Sequence, residues 1–292
     1  MASSLPSNLA ALLAPFCSTL NGPGPGPFQA VSLEGVRALA QHLGIASARA
    51  MGLCLEHDVW PLRFARNRGV FLAQEQRGLL ESRAAIIGCG GLGGHVITLL
   101  ARAGVGALTL CDCDVFDESN LNRQVLCRET TLGRNKAVVA REELTAITSH
   151  ADVRVFPVVA GPDNLPEILH GASIAVDCLD SLATRHAVAA AADTAGIPFI
   201  HGAVAGHEGF AMLIRPGEKS LALLYSDKER SFENTCNGSG AESSLGVPTL
   251  TPAGIAALQA SLALQVLTGQ QPGSARLCHL DIAGPMLEML TL

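Results

Sequence analysis

The stretch Ile86-Ile87-Gly88-Cys89-Gly90-Gly91-Leu92-Gly93-Gly94 decides how the chain is read. The apolar run Ala84–Gly88 leads into it, and a helix-patterned segment to about Ala103 follows. Gly88, Gly90 and Gly93 form a G-x-G-x-x-G pattern between that predicted strand and predicted helix. Glycines there allow a tight turn and let backbone N–H groups approach a phosphate at the helix N-terminus. Outward from this point strands and helices alternate. Leu108–Cys111, Val153–Val159, Ile174–Asp177 and Phe199–Gly202 read as strands, and Gly133–Thr148, Asn164–His170 and Ser181–Ala195 as helices. Apolar strands without polar alternation are buried on both faces, as in a parallel sheet covered by helices. The expected fold is therefore α/β, a Rossmann-like doubly wound, mostly parallel sheet. Gly209–Arg215 and Ala222–Tyr225 are expected as antiparallel additions, and Thr251–Gly269 as a helix with Pro252 in its first turn.

Residues 1–60 differ from the rest. The Gly/Pro-rich run at 21–28 is a break, flanked by helical patterns at Asn8–Cys17, Ser32–Leu43 and Ser47–His57, with Ser32 placed to cap the second. A small helical N-terminal extension over 1–60 is expected, ahead of a domain over 61–292. The length of 292 residues gives a prior of one or two domains. With 48% hydrophobic and 16% charged residues, a disordered chain is excluded. A net charge of −6 argues against a general nucleic-acid surface. No apolar run of membrane-span length is read, and Met1–Cys17 has no Lys or Arg to make a signal peptide. The nine cysteines include no C-x-x-C pair, which disfavours a disulfide framework and a four-cysteine zinc site. A reducing cytoplasm is expected.

The chemistry-bearing residues cluster after the glycine turn. Asp112 ends the next strand, 19 residues after Gly93, where an acidic side chain accepts hydrogen bonds from ribose hydroxyls. The polar loop from Asp112 brings Arg123 and Gln124 toward the phosphate end, and Lys136 opens a helix. Two fixed cations beside a glycine turn suit a triphosphate attacked at its α-phosphate, where developing charge needs Arg, Lys or Mg²⁺. An NAD-dependent oxidoreductase would leave those cations unexplained.

These stretches resemble the ThiF/MoeB/HesA family, bacterial relatives of ubiquitin-activating enzymes. The matching segments are Gly88–Gly94, Asp112–Gln124, Gly133–Lys136, Asp177–Asp180 and Thr251–Gly269, with Arg63-Phe-Ala-Arg66-Asn67 upstream. The Arg-Asn ending and the Gly-Gly pair are most similar to HesA-like members. The resemblance implies a 61–292 adenylation domain, a homodimer, and the substrates Mg²⁺-ATP and a small ubiquitin-like sulfur carrier ending in Gly-Gly. The carrier carboxylate would attack the α-phosphate, giving an acyl-adenylate and pyrophosphate. By motif, Gly91 lies against the nucleotide and Asp112 holds the ribose. Asn120, Arg123 and Lys136 contact phosphates, Asp180 holds Mg²⁺ at the attack site, and Arg66 reaches the γ-phosphate of the other subunit. Asp180 also stands where a helix cap could be, and Arg66 where a plain surface residue could be.

The sequence departs from the family pattern in three places. The paired C-x-x-C zinc ligands are missing, so no structural zinc is expected. The usual T-D-N reads Leu179-Asp180-Ser181, where serine can still bond or cap. Cys236 lies in a polar segment where a sulfur-handling cysteine can occur, and it is either a thioester-forming nucleophile or an incidental loop residue. His95, His201 and His207 are read as structural, His207 being the one placed to face the site. Two other functions stay open: a tRNA threonylcarbamoyladenosine dehydratase of the same superfamily, disfavoured by the acidic charge, and a non-catalytic binding module.

Overall fold

The computed structural model describes residues 6–225, 245–271 and 276–291. From Arg83 the expected alternation is present. Strands β4 (Arg83–Ile87), β5 (Ala107–Cys111), β6 (Asp152–Phe156), β7 (Ile174–Asp177) and β8 (Phe199–Ala205) run parallel. Helices α5 (Gly91–Ala103), α6 (Lys136–Ile147), α7 (Leu165–Ile168) and α8 (Leu182–Thr194) lie between them. The continuous apolar runs explain the burial, since Ala84 to Ile87 are at most 1% exposed. Strands β9 (Glu208–Ile214), β10 (Arg276–Asp281) and β11 (Met286–Thr291) extend the sheet antiparallel. The order is β11-β10-β9-β8-β7-β4-β5-β6, with Leu277 opposite Met212 in the extension.

Two elements differ from the expectation. Ala222–Tyr225 falls in a short helix, α9 (Ser220–Leu224), which buries Leu221 and leaves Leu223 exposed. A four-residue apolar run fits a helical turn as well as a strand, and packing decides. Helix α10 (Leu250–Leu267) has 18 residues and a mean hydropathy of 1.5, long and apolar enough for a membrane span where none was read. Here it is a core helix, burying Ile255, Ala256, Gln259 and Ala263 completely beside β8, β9 and α5.

The N-terminal segment is mixed and not purely helical. Besides α1 (Ser7–Leu13), α2 (Leu33–Leu43) and α3 (Ser47–Glu56) it holds a sheet of β1 (Cys17–Leu20), β2 (Phe28–Val31) and β3 (Val59–Pro61). The Gly/Pro run is the loop of the antiparallel β1–β2 hairpin. Arg68 holds that loop, donating to Pro23 O at 2.7 Å and Pro25 O at 2.8 Å while its guanidinium covers Phe28. The segment's apolar cluster runs from Leu13 through Trp60 and Phe64 to Leu80 on α4 (Ala73–Glu81), so it crosses position 60. Ser32 caps α2 as expected, accepting from Gly35 N–H at 3.2 Å.

Candidate active site

The strand order reverses between β7 and β4, because β5 and β6 go to one side of β4 and β7 and β8 to the other. Such a switch point opens a crevice beyond the carboxyl ends of the strands. A cavity of about 260 Å³ lies there, lined by the glycine turn, Asp112–Asp114, Arg123, Gln124, Lys136, Cys178–Ser181, Val247 and Pro252. The turn itself is built by steric necessity. Gly88 has φ +95°, and a Cβ there would stand 2.4 Å from Cys178 O. A Cβ on Gly93 would stand 1.9 Å from Gly88 O. At Gly90 and Gly91 an added Cβ would meet nothing nearer than 3.5 Å. These two face the cavity, so the first pair shapes the turn and the second opens it.

Asp112 fastens the turn to the following loop. Its carboxylate accepts from Cys89 N–H at 2.6 Å and Asp114 N–H at 2.9 Å. Burial pushes its pKa above the usual carboxylate value, against those two N–H donors and the nearby Lys136 charge. Asn135 caps α6 by accepting from Val138 N–H, and its amide also holds Asp112 O and Asp114 O. Lys136 is thereby fixed at the first helical position, its Nζ 3.0 Å from Asp114 Oδ2 with the side chain 10% exposed. Burial alone would raise the Asp114 pKa, but the Lys136 hydrogen bond and charge hold it below the ordinary value. One of three ammonium donors is used, which leaves two for a ligand. Arg123 Nη1 bonds Ser119 O and Asn122 Oδ1.

Asp180 stands exposed at the rim and makes no hydrogen bond or ion pair among the described residues. Ser181, and not Asp180, caps α8, accepting from Thr184 N–H. Behind them Asp177 and Arg185 form a buried ion pair, and His201 hydrogen-bonds the same carboxylate. Burial raises the Asp177 carboxyl, yet Arg185 and His201 together hold it below its ordinary pKa.

The structure thus brings Gly88, Gly90, Gly91, Asp112, Arg123, Lys136, Asp180 and Ser181 to one cavity. Gly93 lies beneath it. Asn120 is buried in the loop, its Oδ1 accepting from Asp117 N–H, and is not on the cavity wall. Arg66 is exposed and also off the wall. Its neighbours in the same motif have structural partners: Arg63 bonds Ile147 O and His150, and Asn67 donates to the buried Gln76. Cys236 lies outside the described residues. Sequence reading did not rank Gln124 as a site residue. It lines the cavity, 7% exposed, and its Oε1 has no hydrogen-bond partner among the described residues. Its position directly after Arg123 was the available signal.

The ThiF family model matches residues 64–292. The sulfur carrier protein ThiS adenylyltransferase of Bacillus subtilis strain 168 is 35% identical over 200 residues, 67% of this chain and 57% of that protein. The molybdopterin-synthase adenylyltransferase of Salmonella typhimurium strain LT2 is 32% identical over 213 residues, 70% of this chain and 81% of that protein. This chain therefore spans little more than half the length of the Bacillus protein. The crystal structure of E. coli MccB with ATP superimposes with a TM-score of 0.62 at 22% identity. That match covers 82% of this chain and 69% of the other, and it supports the fold alone.

Proposed function

We propose that this chain, which belongs to the ThiF family, is an ATP-dependent adenylyltransferase for a small ubiquitin-like sulfur carrier. The observation that carries the reading is a single cavity walled by a glycine turn, two cations and an open carboxylate. Gly90 and Gly91 let the phosphate chain approach the backbone, and Asp112 takes the ribose. Lys136 and Arg123 neutralise charge as the carrier's terminal carboxylate oxygen bonds to the α-phosphorus and the bond to pyrophosphate breaks. Two 30–35% identical relatives carry names that state adenylylation, one of them of the carrier ThiS.

Mg²⁺ fits the donor set. Asp180 lines the cavity, and its carboxylate is unengaged among the described residues. Mg²⁺ takes one or two carboxylates together with substrate phosphates. Bound there, the ion would screen the phosphates during attack. Within the family the reading is HesA-like, on the Arg66-Asn67 ending and the Gly90-Gly91 pair.

The chain acts as a homodimer in this reading, with Arg66 serving the other subunit's site; its exposure away from its own cavity supports that role. Mixing Arg66→Ala with Asp180→Ala tests it. Random pairing of two inactive variants restores roughly a quarter of the sites if Arg66 acts across the interface. No recovery returns Arg66 to an ordinary surface role.

ATP–pyrophosphate exchange with a panel of carriers ending in Gly-Gly tests the activity itself. Exchange that requires a carrier and is lost in Asp180→Ala supports the reading. Binding of NADH without exchange for any carrier overturns it.

A further inference from the structure

A hydrogen-bond circuit sits behind the Asp180 turn. Asp177 and His201 are fully buried, and Arg185 is 5% exposed. His201 Nδ1 lies 2.6 Å from Asp177 Oδ2, and its Nε2 lies 3.1 Å from Tyr225 Oη. Arg185 Nη1 donates to Tyr225 Oη at 2.7 Å, and Arg185 Nε lies 2.8 Å from Asp177 Oδ2 as a charge contact. The proton directions follow. A guanidinium only donates, so the phenol oxygen accepts from Arg185, and the ionised Asp177 carboxylate can only accept, so His201 Nδ1 carries the proton between them. Burial holds the imidazole below its ordinary pKa, so Nε2, facing Tyr225 Oη, carries no proton. His201 is the neutral Nδ1–H tautomer, walled by Phe199 and Phe210.

The same groups clamp Leu179, the residue before Asp180. Leu179 N–H donates to Asp177 Oδ1 at 3.0 Å, and Arg185 Nη2 donates to Leu179 O. Both backbone polar groups of Leu179 are therefore taken by side chains whose orientation the circuit fixes. Tyr225 and His201 do not line the cavity themselves.

We propose that Tyr225 and His201 are positioning residues for Asp180, setting the Leu179–Asp180 turn and with it where the carboxylate stands at the cavity rim. The proposal rests on the reading of Asp180 as the Mg²⁺-binding acid. Neither residue was expected to serve the site, and the described contacts connect them to it through Asp177 and Arg185.

The test uses Tyr225→Phe in the full chain, which removes one oxygen and keeps the ring against Arg185 and His186. Carrier-dependent exchange should lose about 10- to 100-fold in kcat, the scale of a small misplacement of a reacting group, with the ATP KM within about threefold. Calorimetry with a non-hydrolysable ATP analogue should show the half-saturating Mg²⁺ concentration raised about tenfold. On an Asp180→Asn background the same change should add less than about twofold, because its target is already gone. His201→Asn, whose amide replaces the Nδ1–H donor, should keep more activity than His201→Leu; this pair decides the matter if Tyr225→Phe does not fold. Unchanged kcat and Mg²⁺ dependence, or costs that multiply with Asp180→Asn, overturn the proposal. Absence of exchange with every carrier in the unmodified chain refutes the adenylation reading alone, since Mg²⁺-dependent analogue binding still decides the circuit. Absence of that binding as well overturns both.

Discussion

At the scale of single residues, the glycines of the turn divide into two kinds. Gly88 and Gly93 are sterically required, because a Cβ would stand 2.4 Å and 1.9 Å from backbone oxygens. Neither oxygen can yield without moving β7 or the turn. Gly93→Ala should therefore cost about 3 kcal/mol or more, the scale of a forced overlap in a packed core, and show as a large drop in Tm. Gly91→Ala meets only ordinary contacts at 3.5 Å from Pro252, so its Tm should stay within a few degrees. Its ATP KM should rise at least tenfold, since the methyl occupies the path of the phosphates. Equal thermal losses for the two variants would contradict this division. Lys136→Met makes the complementary case. Its partner Asp114 has a side chain 61% exposed and is rehydrated at little cost, so stability should change by under about 1 kcal/mol. Exchange should fall 100- to 1,000-fold, as when an electrostatic donor to a developing charge is removed.

At the scale of elements, the site depends on where two helices begin. Asn135 caps α6 and also ties down Asp112 O and Asp114 O, so it sets both Lys136 and the loop facing it. Ser181 caps α8 one residue after Asp180. Ser181→Ala should cost about 1 kcal/mol, and Ser181→Asn should recover most of it, as read by urea unfolding midpoints. A matching loss in both would mean that the cap contributes nothing. The core strands and the glycine turn were legible because continuous apolar runs and a fixed glycine spacing are local signals. Other elements were not. Cys17–Leu20 has two exposed residues and becomes a strand only by pairing with Phe28–Val31. Met286–Thr291 is exposed along its whole length and owes its conformation to Arg276–Asp281 beside it. The site was legible in the same uneven way. Asp112, Arg123, Lys136 and Asp180 follow one another along motifs. Asp177, His201 and Tyr225 lie 24 residues apart at each step and meet only once β7, β8 and α9 are assembled. Asn120 stands off the cavity wall, a placement its motif could not show, because a motif position carries no information on which way a loop side chain turns.

At the scale of the whole molecule, the N-terminal cluster is joined to the sheet layer partly through one acid-sensitive contact. Arg63, beside the buried Phe64, reaches past the end of α6 to Ile147 O and stands 3.2 Å from His150 Nδ1. Thr148 hydrogen-bonds the same imidazole, and the Phe64 ring meets it edge-on. Arg63 can only donate, so the folded site needs an unprotonated Nδ1. Burial first, and the Arg63 charge second, lower the His150 pKa from 6.5 to about 4. The sign follows from proton uptake. The unfolded chain binds a proton near pH 6.5, and the folded chain does not until about pH 4. Stability is complete above pH 6.5 and falls through that window, by about 3 kcal/mol at most. His150→Gln keeps an acceptor for Arg63 and removes the titration. Urea unfolding at pH 7 and pH 4.5 should therefore show the unmodified chain losing about 2 kcal/mol more than His150→Gln between the two conditions. Carboxylate protonation contributes equally to both chains and cancels in that difference. An equal loss in both would mean that His150 becomes protonated without disturbing Arg63, and that the contact is not what joins the two parts.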